Sequence, residues 1–202
     1  IRDSSNTLIS TDWLAYNLKN PNVRIIDASW YLPDMNRNPK EEYDKQHIPG
    51  ARFFDIDEIC DPQSELPHMV PSPEKFVSRI RAMGIGDKHK IIIYDGAGLF
   101  SAARVWWLFK LMGKVEVSVL DGGFPKWLKD GYPSDNQQVV MRDQHMTAEF
   151  HEALVKNVTQ VSAASKLGNH EILDARGPGR FAGKDPEPRK GLRAGRIPGS
   201  KN

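Results

Sequence analysis

Lys90-Ile91-Ile92-Ile93-Tyr94-Asp95 is a short, unbroken apolar run of β-branched residues, and it narrows the fold more than any other stretch of the chain. A strand without polar alternation has to be covered on both faces, which happens mostly in the middle of a parallel sheet. Parallel neighbours need helical crossovers, so strands and helices should alternate around it. They do. Val23 to Ala28 and Val115 to Leu120 read as two further buried strands. Ser10 and Thr11 can cap a short helix carrying Trp13, Leu14 and Leu18, and residues 40–46 form an exposed helical turn before His47. Ser72 is the N-cap and Pro73 the first residue of a helix with Phe76, Val77, Ile80 and Met83 at helical spacing, closed by Gly84. A helix from Ser101 to Met112 follows the central strand, with Trp106 and Trp107 expected in the core. Asp121-Gly122-Gly123 then turns into a helix carrying Phe124, Trp127 and Leu128. The pattern predicts an α/β domain with a central parallel sheet flanked by helices.

An internal repeat sets the domain organisation. Val23-Arg24-Ile25-Ile26-Asp27-Ala28 is echoed by Glu171-Ile172-Leu173-Asp174-Ala175-Arg176, and His47-Ile48-Pro49-Gly50-Ala51 by Arg196-Ile197-Pro198-Gly199-Ser200. Two landmarks in the same order at nearly the same separation argue for two copies of one domain. We expect a first domain over 1–131, a polar linker over 132–154, and over 155–202 a second copy that is truncated soon after its Ile-Pro-Gly turn. The chain opens on Ile1-Arg2-Asp3-Ser4, so the numbering is expected to start inside a longer protein.

Two stretches carry chemistry. In Tyr94-Asp95-Gly96-Ala97-Gly98-Leu99-Phe100-Ser101 a strand exits through a small-residue loop into a helix, so that consecutive backbone N–H groups can converge on an anion or a thiolate. The strand-end position is Asp95, a carboxylate where a nucleophile would need a thiol. In Arg180-Phe181-Ala182-Gly183-Lys184-Asp185-Pro186-Glu187-Pro188-Arg189 two arginines are held by glycine and prolines, which reads as a carboxylate-binding loop, since the guanidinium fork matches a carboxylate in two-point fashion. Cys60 is the only cysteine; it excludes an intrachain disulfide and fits a reducing compartment, expected to be the cytoplasm. Its acidic neighbours Asp57, Glu58 and Asp61 disfavour a thiolate, so it is not taken as a nucleophile. The six histidines show no metal-ligand spacing. A net charge of +2 with no basic stripe gives no reason to expect nucleic acid, and no apolar run is long enough to span a membrane.

Glu42-Tyr43-Asp44-Lys45-Gln46-His47-Ile48-Pro49-Gly50-Ala51, Arg104-Val105-Trp106-Trp107, and Val119-Leu120-Asp121-Gly122-Gly123-Phe124-Pro125-Lys126-Trp127-Leu128, in that order, resemble the first domain of a two-domain rhodanese-type sulfurtransferase. The resemblance covers nearly the whole chain. It implies a catalytically silent first domain, with Asp95 in the cysteine position, and an active second domain whose cysteine carries a persulfide. By the repeat, that cysteine is expected roughly 40 residues beyond Asn202. The resemblance makes Arg180 the substrate-binding arginine of both main branches of the family and Arg189 the second arginine of the 3-mercaptopyruvate branch. Arg196 departs from the histidine usual in that turn. His47 and Trp30 are candidates for the interface between domains.

The implied activity of the intact protein is transfer of sulfur from 3-mercaptopyruvate through a cysteine persulfide to a thiol or cyanide, without a cofactor. The partners are then the small-molecule donor, a thiol acceptor, and the remaining C-terminal portion of the second domain. The alternatives are a thiosulfate sulfurtransferase and a non-catalytic rhodanese-like binding module.

Overall fold

The computed structural model describes residues 7–188 and 191–202. The chain divides into two compact units, Ile1–Tyr31 with Asn36–His151 and Leu32–Met35 with Glu152–Asn202.

The first unit is built on a five-stranded sheet. Its strands are β1 (Leu8–Ile9), β2 (Val23–Asp27), β3 (Ala51–Phe53), β4 (Lys90–Tyr94) and β5 (Val117–Leu120), in the order β1-β5-β4-β2-β3. Every pairing is parallel, with Ile25 opposite Ile92 and Ile93 opposite Val119. The isoleucine run is the central β4, and Ile91, Ile92 and Ile93 are all buried, as a strand covered on both faces requires. Between the strands lie α1 (Thr11–Tyr16), α2 (Pro39–Lys45), α3 (Pro73–Ala82), α4 (Ala102–Leu111) and α5 (Gly123–Lys129).

Local chemistry sets the helix ends. Ser10 and Ser72 accept hydrogen bonds from the third-residue N–H of α1 and α3 through their side chains, and Pro73 starts α3. One core cluster joins Leu14, Tyr43 and Trp127 from α1, α2 and α5 to Ile25, Ile92 and Tyr94 of the sheet. By strand alternation Ile26, Ile91 and Ile93 face the other side. Phe76 of α3 and Phe109 of α4 meet edge to face at 5.0 Å.

Two local expectations need correction. The last strand begins at Val117, because Val115 is 74% exposed and Lys110 Nζ caps its carbonyl. Trp106 and Trp107 are half-buried, not core; the Trp106 indole N–H reaches the Val117 carbonyl at 3.1 Å. Residues 132–151 contain no helix or strand, yet they follow the first unit closely: Asp135 bridges to His47, the His145 carbonyl accepts from Asp87, and Met146 is buried.

The second unit holds α6 (Val158–Leu167) and α7 (Pro178–Phe181). Leu173 and Lys201 form a parallel bridge.

Candidate functional site

In an open parallel sheet, ligands bind outside the carboxyl ends of strands whose connections leave in opposite directions. Here β2 connects to β3 on one side and β4 to β5 on the other, so the point lies between the ends of β2 and β4. The loop after β4 sits there.

Its backbone closes around the Asp95 side chain. The N–H groups of Ala97 and Gly98 both donate to Oδ1 at 2.9 Å, and those of Phe100 and Ala102 donate to Oδ2 at 2.7 and 2.9 Å. Asp95 is 1% exposed. Four converging donors at a helix start make the anion nest the sequence implied, and the chain's own carboxylate fills it. Neighbouring groups lock the loop. Ser29 Oγ accepts from the Gly96 N–H at 2.9 Å and donates to Asp27 Oδ1 at 2.5 Å. Burial raises the Asp27 pKa, opposed by the hydrogen bonds from Ser29. Ser101 Oγ donates to the Ala28 carbonyl and accepts from the Trp30 N–H. Gly123 has φ +56°, and a Cβ on it would stand 2.5 Å from the Asp95 carbonyl oxygen, so glycine is needed for this approach.

Trp30 points toward a second cluster that sequence reasoning missed. Its indole N–H donates to Asp57, whose Oδ1 lies 2.5 Å from His68 Nε2. The Trp30 and His68 rings meet edge to face at 5.0 Å, and Arg104 Nη2 donates to the His68 carbonyl. An imidazole held by a carboxylate is able to move a proton. The residues between Phe53 and α3 have no periodicity, so nothing in the sequence pairs Asp57 with His68. Cys60 stands apart from the nest, half-buried, with its thiol donating to the Asp57 carbonyl at 3.0 Å. His47 is fully buried within the first unit, its ring stacked on Tyr43 at 4.2 Å with Nδ1 2.6 Å from the Tyr43 carbonyl, and its backbone N–H donates to the Asp135 carbonyl.

In the second unit Arg180 leaves α7 to meet Glu187, with Nη2 and Nε at 2.5 and 3.1 Å from Oε2. Arg176 Nη1 takes the other Glu187 oxygen at 2.8 Å, while its Nε and Nη2 hold Asp174. Hydrogen bonding from Arg176 holds the Asp174 carboxyl down at about 2. These four residues line an open cavity of about 950 Å³ together with Arg193 and Arg196. The Arg196 guanidinium lies over the Phe181 ring at 4.7 Å. Arg189 lies outside the described residues. Among the described residues no group of three or more His, Cys, Asp or Glu is placed to hold a metal.

Comparison with known proteins gives consistent matches. The family described as "Rhodanese-like domain" matches residues 10–130. Thiosulfate/3-mercaptopyruvate sulfurtransferase 1, mitochondrial, of Arabidopsis thaliana is 42% identical over 98% of this chain, and the chain spans 58% of that relative's length. The 3-mercaptopyruvate sulfurtransferase of Rattus norvegicus is 39% identical over 96% of this chain and 68% of its own. The crystal structure of SseA from Escherichia coli, a 3-mercaptopyruvate sulfotransferase with the "Rhodanese" fold, superposes with a TM-score of 0.88 at 38% identity, covering 97% of this chain and 74% of that one.

Proposed function

This chain belongs to the rhodanese-like domain family, and we propose that it is the silent first domain and the opening of the active second domain of a 3-mercaptopyruvate sulfurtransferase. One observation carries the reading: the loop after β4 is a nest of four N–H donors around an anion, the arrangement that would hold a cysteine thiolate in a competent copy. In the first copy Asp95 occupies that nest and makes it silent.

The second-copy reading has its own support. Asn157 caps α6 through its side chain as Ser10 caps α1, at the same offset that relates Asp174 to Asp27. Leu173 pairs in parallel with Lys201, the repeat counterparts of the registered pair Ile26 and Arg52. We place the domains at 1–131 and 155–202, with 132–154 between them.

In the reaction, the second-copy thiolate attacks the sulfur of 3-mercaptopyruvate. A sulfur–sulfur bond forms, the carbon–sulfur bond breaks, and its electron pair leaves as the enolate of pyruvate, which is then protonated. An acceptor thiol, or cyanide, removes the outer sulfur in a second step. Arg180 and Arg189 hold the donor's carboxylate and carbonyl oxygen so that its sulfur lies in line with the nucleophile. Trp30 is proposed near an interface between domains, whereas His47, fully buried within the first unit, is proposed to hold its turn in place. A reducing compartment, the cytoplasm, is proposed on the lone cysteine of these 202 residues, left unpaired within them; the mitochondrial name of the plant relative marks the competing compartment. That name also carries thiosulfate, which favours a second reading with thiosulfate as donor.

The two arginines decide between the donors. In the full-length protein, replacing either with Ala should reduce kcat/KM for 3-mercaptopyruvate by about 2–4 kcal/mol, the range for truncating one side of a charge-assisted pair. Thiosulfate use should fall with loss of Arg180 and much less with loss of Arg189. Equal losses for both donors at Arg189 would remove the basis for the mercaptopyruvate branch.

A further inference from the structure

At the end of the first unit's sheet away from the nest, cations gather around one turn. Residues 83–89 follow the carboxyl end of α3, and their carbonyls are taken by side chains from other elements. Arg52 of β3 donates through Nε to the Met83 carbonyl at 2.7 Å, Arg24 of β2 through Nε to that of Gly84 at 3.1 Å, and Lys114 Nζ to those of Gly86 and Asp87. His89 closes the turn. Its Nδ1 accepts from the Gly86 N–H at 2.9 Å, so the neutral ring carries its proton on Nε2. Arg52, His89 and Lys114 are all buried, and Arg24 is half-buried.

Cations on the last carbonyls of a helix are ordinary caps, which accounts for the two Nε bonds. It does not account for the charge. Arg24 lies opposite Ile91 and two residues before Ile26, whose register partner is Arg52, so both arginines stand on one face of the sheet. Burial holds Arg52 down to about 10, and Arg24 pushes it the same way. Among the described residues the arginines paired with carboxylates are Arg37, Arg79, Arg176 and Arg180; Arg24 and Arg52 are not among them. The nearby acids, Asp87 and Glu116, act on Lys114. Two neighbouring guanidinium groups are thus drawn partly out of water with no anion to offset them.

Hydrogen-bonding capacity is left over as well. Nη2 of Arg24, Nη2 of Arg52 and Nε2 of His89 make no bond among the described residues, and none of the three is sealed from solvent. Open donors from β2, β3 and the turn before β4 accompany an excess of positive charge. That combination suits a tetrahedral oxyanion, whose oxygens accept from several directions and whose second charge answers the second guanidinium.

We propose that Arg24, Arg52 and His89 form a binding site for a dianionic tetrahedral oxyanion, a phosphate group either free or carried on a small metabolite, at the opposite end of the sheet from the nest. The site does not depend on the sulfurtransferase reading.

The test follows the His89 ring by NMR in the full-length protein, titrated with inorganic phosphate in a buffer free of other oxyanions. The ring reports on this turn alone, so phosphate held elsewhere does not move it. An anion beside an imidazole favours its charged form, so phosphate should raise the pKa of His89 from about 4 to about 5 or above. Sulfate should act alike, and acetate, planar and singly charged, should need about ten-fold more. Acetate binding as tightly as phosphate overturns the dianion assignment. Arg24→Gln keeps a donor for the Gly84 carbonyl and removes one charge; it should weaken phosphate binding about ten-fold and leave sulfur transfer unchanged. Glycerol phosphate binding more tightly than inorganic phosphate marks a metabolite as the occupant, and the reverse order marks the free ion. A His89 ring that does not respond to phosphate, or an affinity unchanged in Arg24→Gln, overturns the proposal and leaves these side chains as caps of α3. Should that variant fail to fold, Arg52→Lys keeps the charge and gives up the open Nη2 corner, and an undiminished phosphate affinity there overturns the proposal equally.

Discussion

Replacing Asp95 should cost the first unit a large part of its stability, because four buried N–H groups depend on one carboxylate. A hydrogen bond to a charged group contributes about 1.5–3 kcal/mol net. Asp95→Asn keeps the shape but turns one acceptor into an NH₂ group facing two N–H donors, so two bonds are lost and about 3 kcal/mol with them. Asp95→Ala removes all four. Bonds converging on one group are not additive and water can enter the vacated nest, so about 4 kcal/mol is expected in place of the simple sum. Against a total of roughly 5–15 kcal/mol for a domain, either change is large. Equilibrium urea unfolding followed by the fluorescence of buried Trp127 measures it, and the midpoint should fall without a change in slope. A specific signature accompanies the loss: formate should raise the melting temperature of Asp95→Gly more than that of the unsubstituted chain, by refilling the nest. Losses below about 1 kcal/mol in both Asn and Ala variants would show that the N–H groups find other partners, and the anion-nest account of this loop would be wrong.

Other outcomes follow from the same geometry. The 202 residues alone should transfer no sulfur from 3-mercaptopyruvate to cyanide, since Asp95 fills the nest and Cys60 lies outside it; turnover by a preparation free of any other fragment contradicts this. Burial, reinforced by Arg24, Lys114 and Arg52, pushes His89 down to about 4. Folding therefore favours its neutral form, and the stability it contributes is full above pH ~6.5 and lost as pH falls toward 4, by up to about 3 kcal/mol. An NMR titration placing the ring's pKa near its ordinary value would refute that. Gly123→Ala should destabilise by about 2 kcal/mol or more, through a left-handed φ forced on a side chain and contact with the Asp95 carbonyl; a neutral effect on the urea midpoint would show the turn can relax.

What the sequence made legible is what short-range rules encode. The Ile91 to Ile93 run announced a strand buried on both faces, the Ser72-Pro73 pair a helix start, and the small residues after Tyr94 a nest at a helix entrance; each depends on neighbours within a few positions. Where the strand read from Val115 was too long, the deciding fact was that Val115 lies 74% exposed, which no local pattern reports. The charged clusters were invisible for a related reason. Glu187 reaches back to Arg180 and Arg176, and Asp57 to His68, across irregular loops that share no helical or strand period, so spacing gives no hint that they meet. The first unit shows the same arrangement on a smaller scale, where Arg37 stacks on Tyr31 and is held in two-point fashion by Glu42 beside the nest. An arginine near the loop after β4 in one unit, and one on α7 in the other, is thus gripped by a glutamate a few residues downstream. Reading such a loop from sequence therefore requires asking which carboxylate already occupies each arginine before assigning that arginine to a ligand.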